Sequence, residues 1–386
     1  MDCSNLGRKK IALLGGVVFL GGLAACSSSN GSSDKNSGNE MQSTGGSGGS
    51  GGSGGTATLG TCDGTKESSA MPITQACGTY ISPTGTSIQL GPYGAMMDVN
   101  VGKGFETTDG VDATGAPSDG VTCPAFISSF GEDPTLSAQL QDVGTQPCTA
   151  DTPNTGSCIN MALYSVSRPA NWPDGKVPVL TWGNGTCAQP EGYGTLLRYI
   201  ASYGFFVVAA NSREVGTGAD LQKAIDFATA ANQDSSSPYF GHLDLDKVGA
   251  MGHSQGCAAA AAATQNDARI KAAILFNGVD SLSDNKPYFA LSGDMDITAF
   301  TAAGMATAIN GASGPAAYMY IHNPAGMGPL RGHLPLMLSP ERVAPASTAF
   351  WQMVFDDDAT AKQMFVGTTC GLCGHDSDYN FGEQGF

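Results

Sequence analysis

Charged side chains are scarce in this chain, and positive charge is the scarcer sign. Only 13% of the 386 residues are charged, and 18 Lys and Arg stand against 34 Asp and Glu, which gives a formal net charge of −16 at pH 7. No Lys/Arg cluster occurs after Lys10. Because phosphate backbones are bound by clustered Lys and Arg, nucleic acid is excluded as an expected partner, and a substrate without strong negative charge is favoured.

Long apolar runs are lacking as well. The apolar stretch at 11–23 is too short for a comfortable membrane span, and it follows a short basic region at 8–10. It ends in Leu23-Ala24-Ala25-Cys26, which resembles a bacterial lipobox. We therefore predict a lipoprotein signal peptide at 1–25 and lipidation of Cys26. The alternative is an ordinary secretory signal followed by a chance cysteine.

This start of the chain predicts the location and the domain organisation. The expected location is the bacterial envelope, where the protein is exported and lipid-anchored, and Ser27 favours the outer membrane or cell surface. Residues 26–58 are mostly Ser, Gly and Asn, a composition typical of a flexible tether. Residues 59–386 then form one catalytic domain, expected to be monomeric, with an insertion at about 107–157.

Cysteine is present in an odd number once the N-terminal segment is set aside. Of the eleven cysteines, Cys3 leaves with the signal peptide and Cys26 carries lipid, so nine remain. In an oxidising compartment disulfides are the default, and we predict that Cys257, on an apolar helix, stays free. The other eight could form four bridges, and the N-terminal insertion at about 107–157 is predicted to be disulfide-stapled. The pair Cys370 and Cys373 is also compatible with zinc or redox chemistry, but no second ligand pair stands at zinc spacing. We therefore predict no metal and no cofactor.

From about residue 158 onward, apolar strand patterns alternate with helical ones. This alternation predicts an α/β domain with a mostly parallel sheet covered by helices on both faces. The predicted strands are 160–166, 177–182, 205–210, 247–251, 272–276, 288–291 and 316–321. The predicted helices are 192–203, 221–231, a segment from 256 onward, and 343–355. Residues 87–101 are predicted to form one or two further strands.

The motif Gly252-His253-Ser254-Gln255-Gly256 lies between a predicted strand and a predicted helix. That context is the one a nucleophile elbow requires, because the sharp turn needs glycine at its flanks and lifts the serine hydroxyl above the sheet edge. We therefore predict that Ser254 is a nucleophile; the alternative is a purely structural turn.

A serine nucleophile that attacks an ester also needs donors for the oxyanion that develops. The first expected donor is the backbone N–H of Gln255, which directly follows the nucleophile. The second is expected from the loop Trp182-Gly183-Asn184-Gly185, which follows an earlier strand. Here the N–H of Asn184 is our choice and that of Gly185 the runner-up, while a plain glycine turn is the alternative.

The catalytic acid should follow a later strand. The segment Gly293-Asp294-Met295-Asp296 does so, and its spacing favours Asp296, which would orient a histidine and stabilise the imidazolium. Asp294 would then be a solvated turn residue.

Histidine is rare, with five in the whole chain, and this limits the choice of base. In the order Ser, Asp, His, the base comes last. The candidates are His322, His333 and His375. His322 ends a predicted strand, whereas His333 follows a loop and has Gly332 beside it, so its backbone has more freedom to bring the ring over the serine. We predict His333; His242 and His253 are expected to be structural.

Several of these segments together resemble a known family, the secreted bacterial polyesterases of the α/β-hydrolase superfamily, which include cutinase and PET-hydrolase-like enzymes, with kinship to dienelactone hydrolases. The resemblance covers about 91–365. It is carried by Gly91-Pro92-Tyr93, Trp182-Gly183-Asn184-Gly185, Ala201-Ser202-Tyr203-Gly204-Phe205, Gly252-His253-Ser254-Gln255-Gly256 and Gly293-Asp294-Met295-Asp296. It implies an α/β-hydrolase fold, a Ser-His-Asp triad, no metal, and ester substrates, with the histidine on the loop after its strand. The chain departs from the family at Gln255, where Met is usual, and at Cys257, where Gly is usual.

These observations predict a serine carboxylic-ester hydrolase that acts through an acyl-enzyme on a small-molecule or polymeric ester, such as a polyester or a lipid-like ester. Trp182 and Tyr193 are expected to line a substrate subsite or else to be packing residues. The alternatives on the same triad are a lipase, a polyhydroxyalkanoate depolymerase or an acyltransferase. A catalytically silent envelope-binding protein is the alternative from another class.

Overall fold

The computed structural model describes residues 79–81, 87–102, 163–186, 188–213, 215–279, 281–296, 298–324, 332–333 and 339–386. The predicted signal peptide, Cys26, the tether and the insertion at about 107–157 lie outside these residues. So do six of the nine cysteines discussed above, namely Cys62, Cys77, Cys123, Cys148, Cys158 and Cys187.

Alternating strands and helices make up the described part of the chain. The strands are β1 Thr79–Ile81, β2 Ser87–Gln89, β3 Ala95–Val101, β4 Tyr164–Pro169, β5 Val177–Gly183, β6 Phe206–Ala210, β7 Leu243–His253, β8 Ile270–Phe276, β9 Tyr288–Gly293, β10 Ala316–Ile321 and β11 Tyr379–Gln384. The helices are α1 Gly194–Ser202, α2 Ala219–Gln233, α3 Gln255–Asn266, α4 Ala302–Asn310, α5 Ala344–Asp356 and α6 Ala359–Lys362, and 3-10 turns cover Pro190–Tyr193 and Pro340–Arg342.

Nine of these strands form one sheet in the order β11-β10-β9-β8-β7-β5-β6-β4-β3, while β1 and β2 pair separately. The strands from β6 to β10 in that order are parallel to their neighbours. At the two edges, β3, β4 and β11 pair antiparallel. The chain therefore has the α/β-hydrolase fold, a mostly parallel sheet with helices on both faces, as the sequence predicts.

Both faces of the sheet are covered because its central strands are apolar on both sides. On one face, α1 and α5 bury Leu196, Ile200, Phe350 and Trp351. On the other, α2, α3 and α4 form two adjoining apolar clusters. A parallel sheet that is buried on both faces needs continuous apolar strands, and β5, β6, β9 and β10 are buried along their whole length. Since the central strands are parallel, their carboxyl ends all lie on one side of the sheet, which we call the carboxyl edge, and a site can be assembled there.

Glycines at this edge allow the elbow to pack closely against β5. A Cβ atom on Gly256 would lie 2.1 Å from the carbonyl oxygen of Gly183, and one on Gly252 would lie 2.1 Å from the carbonyl oxygen of Gly256. Because these neighbours are backbone atoms, no side chain can move aside to make room. The glycines of the motif are thus required by packing.

The structure describes three of the nine cysteines, namely Cys257 and the C-terminal pair Cys370 and Cys373. Cys257 is buried on α3 and is not part of a disulfide, and its Sγ accepts the N–H of Val279 at 3.2 Å. Cys370 and Cys373 form a disulfide, so their thiolates are not available to zinc. Among the described residues there is no group of three or more potential metal ligands, and none of the helices there is long and apolar enough to cross a membrane.

Candidate active site

Ser254 lies in a sharp turn between β7 and α3. Its backbone has φ 57° and ψ −118°, a conformation that costs energy for a residue with a side chain. The turn is held by its N–H, which donates to the carbonyl oxygen of Phe276 at 2.9 Å. The strained turn projects the Ser254 hydroxyl at the carboxyl edge of the sheet, above the first turn of α3, whose N-terminus favours negative charge.

The structure brings Ser254, His333 and Asp296 into one line of hydrogen bonds. The Oγ of Ser254 lies 2.9 Å from Nε2 of His333, and Nδ1 of the same ring lies 2.9 Å from Oδ1 of Asp296. An ionised carboxylate can only accept, so Nδ1 carries the proton and Nε2 is left to accept the serine proton. This is the arrangement in which a histidine can act as a general base.

Asp296 lies in a polar pocket that stabilises its charge. Its Oδ2 accepts hydrogen bonds from Asn277 at 2.5 Å and Ser292 at 2.8 Å, and its Oδ1 also accepts the N–H of Thr298 at 2.9 Å. Burial by itself raises the pKa of the carboxyl, but the hydrogen bonds from His333, Asn277 and Thr298 outweigh it, so the pKa lies below its usual value. Asp296 is therefore ionised at neutral pH.

His253, the residue before the nucleophile, is buried beside the base. Its Nε2 lies 2.7 Å from the carbonyl oxygen of His333, and its Nδ1 lies 2.9 Å from the hydroxyl of Tyr193. Burial, together with the positive charge that His333 can carry, lowers the pKa of His253 to about 3. This imidazole consequently stays neutral over the pH range in which a histidine base works.

The lowered pKa of His253 makes the folded state sensitive to acid. The unfolded chain binds a proton at this residue near its ordinary pKa of 6.5, whereas the folded chain resists protonation down to about 3. The contribution of the neutral His253 to the free energy of unfolding is therefore fully present above pH 6.5 and is lost as the pH falls towards 3. We expect this residue to cost the native state about 2 to 3 kcal/mol between about pH 7 and about pH 4.5.

Urea unfolding of the full-length chain and of His253→Gln, measured at several pH values, checks this expectation. The glutamine variant lacks the titrating group, so its unfolding free energy should fall less steeply below pH 6.5. Parallel pH profiles for the two proteins would contradict the lowered pKa.

The two predicted oxyanion donors occupy different positions. Gln255 is the first residue of α3, so its N–H is at the helix N-terminus, and its side-chain Oε1 accepts the N–H of Val215 at 3.2 Å. The side chain of Asn184 is buried and donates to the carbonyl oxygens of Ala210 and Ser212 at 2.8 and 2.9 Å. The N–H of Gly185, the runner-up, donates to the hydroxyl of Tyr193 at 3.1 Å. This bond favours Asn184 over Gly185 as the second donor.

Trp182 and Tyr193, which were predicted either to line a substrate subsite or to be packing residues, lie buried in the core. The exposed fraction is 0% for Trp182 and 1% for Tyr193. Their rings pack against each other at 4.7 Å between centroids, and the Trp182 indole donates to Oδ1 of Asn184 at 2.9 Å. Because apolar ring surface is buried in the core here, both residues support the site from beneath, which is the packing alternative.

The rival acid and the rival base contact each other. Nδ1 of His322 lies 3.1 Å from Oδ2 of Asp294, and its Nε2 lies 2.8 Å from Oδ1 of Asn380 on β11. Both ring nitrogens are thus occupied away from Ser254. His375 is exposed and packs against Tyr379 beside the disulfide. Of the three candidates, His333 is the one whose ring contacts the serine.

Two polar residues that hold the backbone of Gly332 and His333 were not predicted as site residues from the sequence. Asn277 directly follows β8, and its amide reaches both Asp296 and the carbonyl oxygen of Gly332 at 2.9 Å. His253 was expected to be structural, and its ring donates to the backbone carbonyl oxygen of the base, His333. The one sequence feature that could have identified them is their position, because His253 ends β7 and Asn277 directly follows the neighbouring strand β8.

Comparison with known proteins gives one family. A family model described as Chlorophyllase matches residues 144–286, less than half of the chain. No curated protein matches the chain. The matched region contains the elbow and the loop after β5, and it ends before Asp296 and His333. The match indicates an ester hydrolase of the α/β-hydrolase type.

Proposed function

We propose that this protein is a serine carboxylic-ester hydrolase in which Ser254 is the nucleophile, His333 the base and Asp296 the acid. The observation that carries the proposal is the hydrogen-bonded line from Ser254 Oγ through the His333 ring to Asp296, with 2.9 Å at each step. The strained backbone of Ser254 adds support, because such conformations concentrate at functional sites.

The reaction proceeds in two halves. Ser254 Oγ attacks the ester carbonyl carbon while its proton passes to Nε2 of His333, and the oxyanion forms beside the N–H groups of Gln255 and Asn184. Collapse breaks the bond to the alcohol, which leaves with the proton from His333. Water, deprotonated by the same nitrogen, then attacks the acyl-enzyme and releases the carboxylic acid and free Ser254.

Charge, sequence resemblance and the family match each support a proposal for the substrate class. The net charge of −16 disfavours polyanionic esters, so an uncharged ester is favoured. The resemblance to polyesterases favours polymeric or lipid-like esters, whereas the chlorophyllase family match favours chlorophyll as an alternative. A panel of a polyester suspension, a triglyceride and chlorophyll distinguishes these classes by the carboxylic acid released.

Activity on a short-chain p-nitrophenyl ester tests the proposal itself. We expect the full-length chain to hydrolyse it and a serine-directed fluorophosphonate to abolish that activity. A protein pretreated with a metal chelator is the control and should keep its rate. Absence of hydrolysis across esters of several chain lengths would favour the catalytically silent binding protein.

We further propose that the enzyme is attached to the envelope by lipid on Cys26. The lipobox-like sequence and the Gly/Ser-rich segment after it support this proposal. Replacing Cys26 by serine should move the protein from the membrane fraction to the soluble fraction, since the thiol that accepts the lipid is missing, while specific activity is retained. Unchanged membrane association of the variant would refute the anchor.

A further inference from the structure

The candidate base lies in a short segment, Gly332 and His333, whose backbone is held from two sides. The consecutive carbonyl oxygens of Gly332 and His333 each accept a hydrogen bond from a side chain: Asn277 Nδ2 at 2.9 Å and His253 Nε2 at 2.7 Å, respectively. His253 ends β7 and Asn277 follows β8, so both donors are fixed to neighbouring parallel strands. His333 itself belongs to no helix or strand.

The proton positions on His253 are determined at both ends of its hydrogen-bond chain. A backbone carbonyl can only accept, so the nitrogen facing His333 must carry the proton. The other nitrogen then accepts from the hydroxyl of Tyr193, and that hydroxyl in turn accepts the N–H of Gly185 at 3.1 Å. The neutral ring therefore has one tautomer, and it links the loop after β5 to the segment of the base.

Close packing leaves the segment little room to shift. A Cβ atom on Gly332 would lie 2.0 Å from the carbonyl oxygen of Asp294 and 2.5 Å from the backbone nitrogen of Asp296. The rings of His253 and His333 lie 4.7 Å apart between centroids. A displacement of about 1 Å in a catalytic group can cost about 10²-fold in rate, so a base outside regular structure needs such restraint.

We propose that His253 is a positioning residue for His333: by donating Nε2–H to the His333 carbonyl oxygen, it holds the base at the hydrogen-bonding distance from Ser254. This inference rests on the proposed function of the Ser254 site. His253 contacts neither the reacting hydroxyl nor Asp296 through its hydrogen bonds, so it acts through the backbone of the base.

Two amide variants separate this role from simple packing. In His253→Gln the side-chain amide reaches the position of Nε2 and retains the donor to His333. In His253→Asn the amide is one carbon shorter and reaches only the side of Tyr193. We expect kcat of the asparagine variant to fall on the order of 10²-fold with KM within about threefold, and the glutamine variant to recover at least about tenfold of the loss.

His322→Asn is the matched control, because it makes the same change at another hydrogen-bonded histidine of the same sheet edge. Its kcat should stay within about threefold of the unmodified protein. Thermal unfolding of all three variants checks that each is folded. Equal losses in the folded asparagine and glutamine variants, or no loss in the asparagine variant, would overturn the proposal.

A second readout does not depend on ester turnover. The ring proton that His333 shares with Asp296 gives a downfield proton NMR signal, assigned by its absence in His333→Ala. We expect this signal to broaden or shift in His253→Asn and to persist in His253→Gln. An unchanged signal in both variants would overturn the positioning role, even if the unmodified protein had no esterase activity. Absence of esterase activity in the unmodified protein, by itself, counts against the proposed function.

Discussion

Replacing Ser254 by alanine is expected to lower kcat on a short-chain ester by about 10⁴- to 10⁶-fold. Alanine removes the only atom of this side chain that can attack the carbonyl carbon, so the acyl-enzyme cannot form at this position. The φ of 57° stays as unfavourable for alanine as for serine, so the fold should be unaffected. Initial rates and thermal unfolding of the purified full-length variant measure the two effects.

Ser283→Ala is a matched control for this substitution, since Ser283 is exposed on the loop between β8 and β9. It should leave both kcat and KM within about twofold. If Ser254→Ala retained more than a hundredth of the activity while Ser283→Ala behaved as expected, the nucleophile would have to lie elsewhere.

Replacing His333 by alanine is expected to lower kcat by a similar factor, on the order of 10⁴- to 10⁶-fold. The ring accepts the Ser254 proton and returns it to the leaving alcohol, and the 2.9 Å contacts on its two nitrogens place it for both transfers. Without the ring, no base is positioned to take the proton of the Ser254 hydroxyl, which is otherwise too weak an acid to ionise at neutral pH. Steady-state kinetics with an ester whose alcohol is a poor leaving group report the loss most fully.

His322→Ala distinguishes the two histidines that the sequence left in competition. Its ring is bound by Asp294 and Asn380, so its removal should cost stability at the β10 and β11 edge and leave kcat nearly unchanged. Near-normal turnover in His333→Ala together with its loss in His322→Ala would reverse the assignment of the base.

Local sequence patterns were sufficient to predict most of the fold. The strand predicted at 316–321 has the bounds observed for β10, and the helix predicted at 343–355 differs from α5 by one residue at each end. These elements carry continuous apolar patterns and are buried in the sheet or against it. The strand before the elbow is longer than predicted, because its first residues alternate with charge where it pairs with the start of β5.

The helix α4 was not predicted, although it is a local element. The other features that the sequence did not predict depend on contacts between distant segments. β11 has polar and glycine residues and was not foreseen; it forms because β10 offers an unpaired edge. The pairing of Asp294 with His322 is likewise decided by where two neighbouring strands end. Motif context, chain order and loop position predicted Ser254, Asp296 and His333 as partners. They carried no information on His253 and Asn277, whose bonds to the backbone of Gly332 and His333 span 80 and 55 residues.

The chemical identity of the residue that becomes acylated tests the account most directly. The full-length chain is treated with a fluorophosphonate until ester hydrolysis stops, digested, and analysed by mass spectrometry. We expect one phosphonyl adduct per chain, located on Ser254, and no adduct in Ser254→Ala. Full inactivation with the adduct on another residue, or with none, would contradict it.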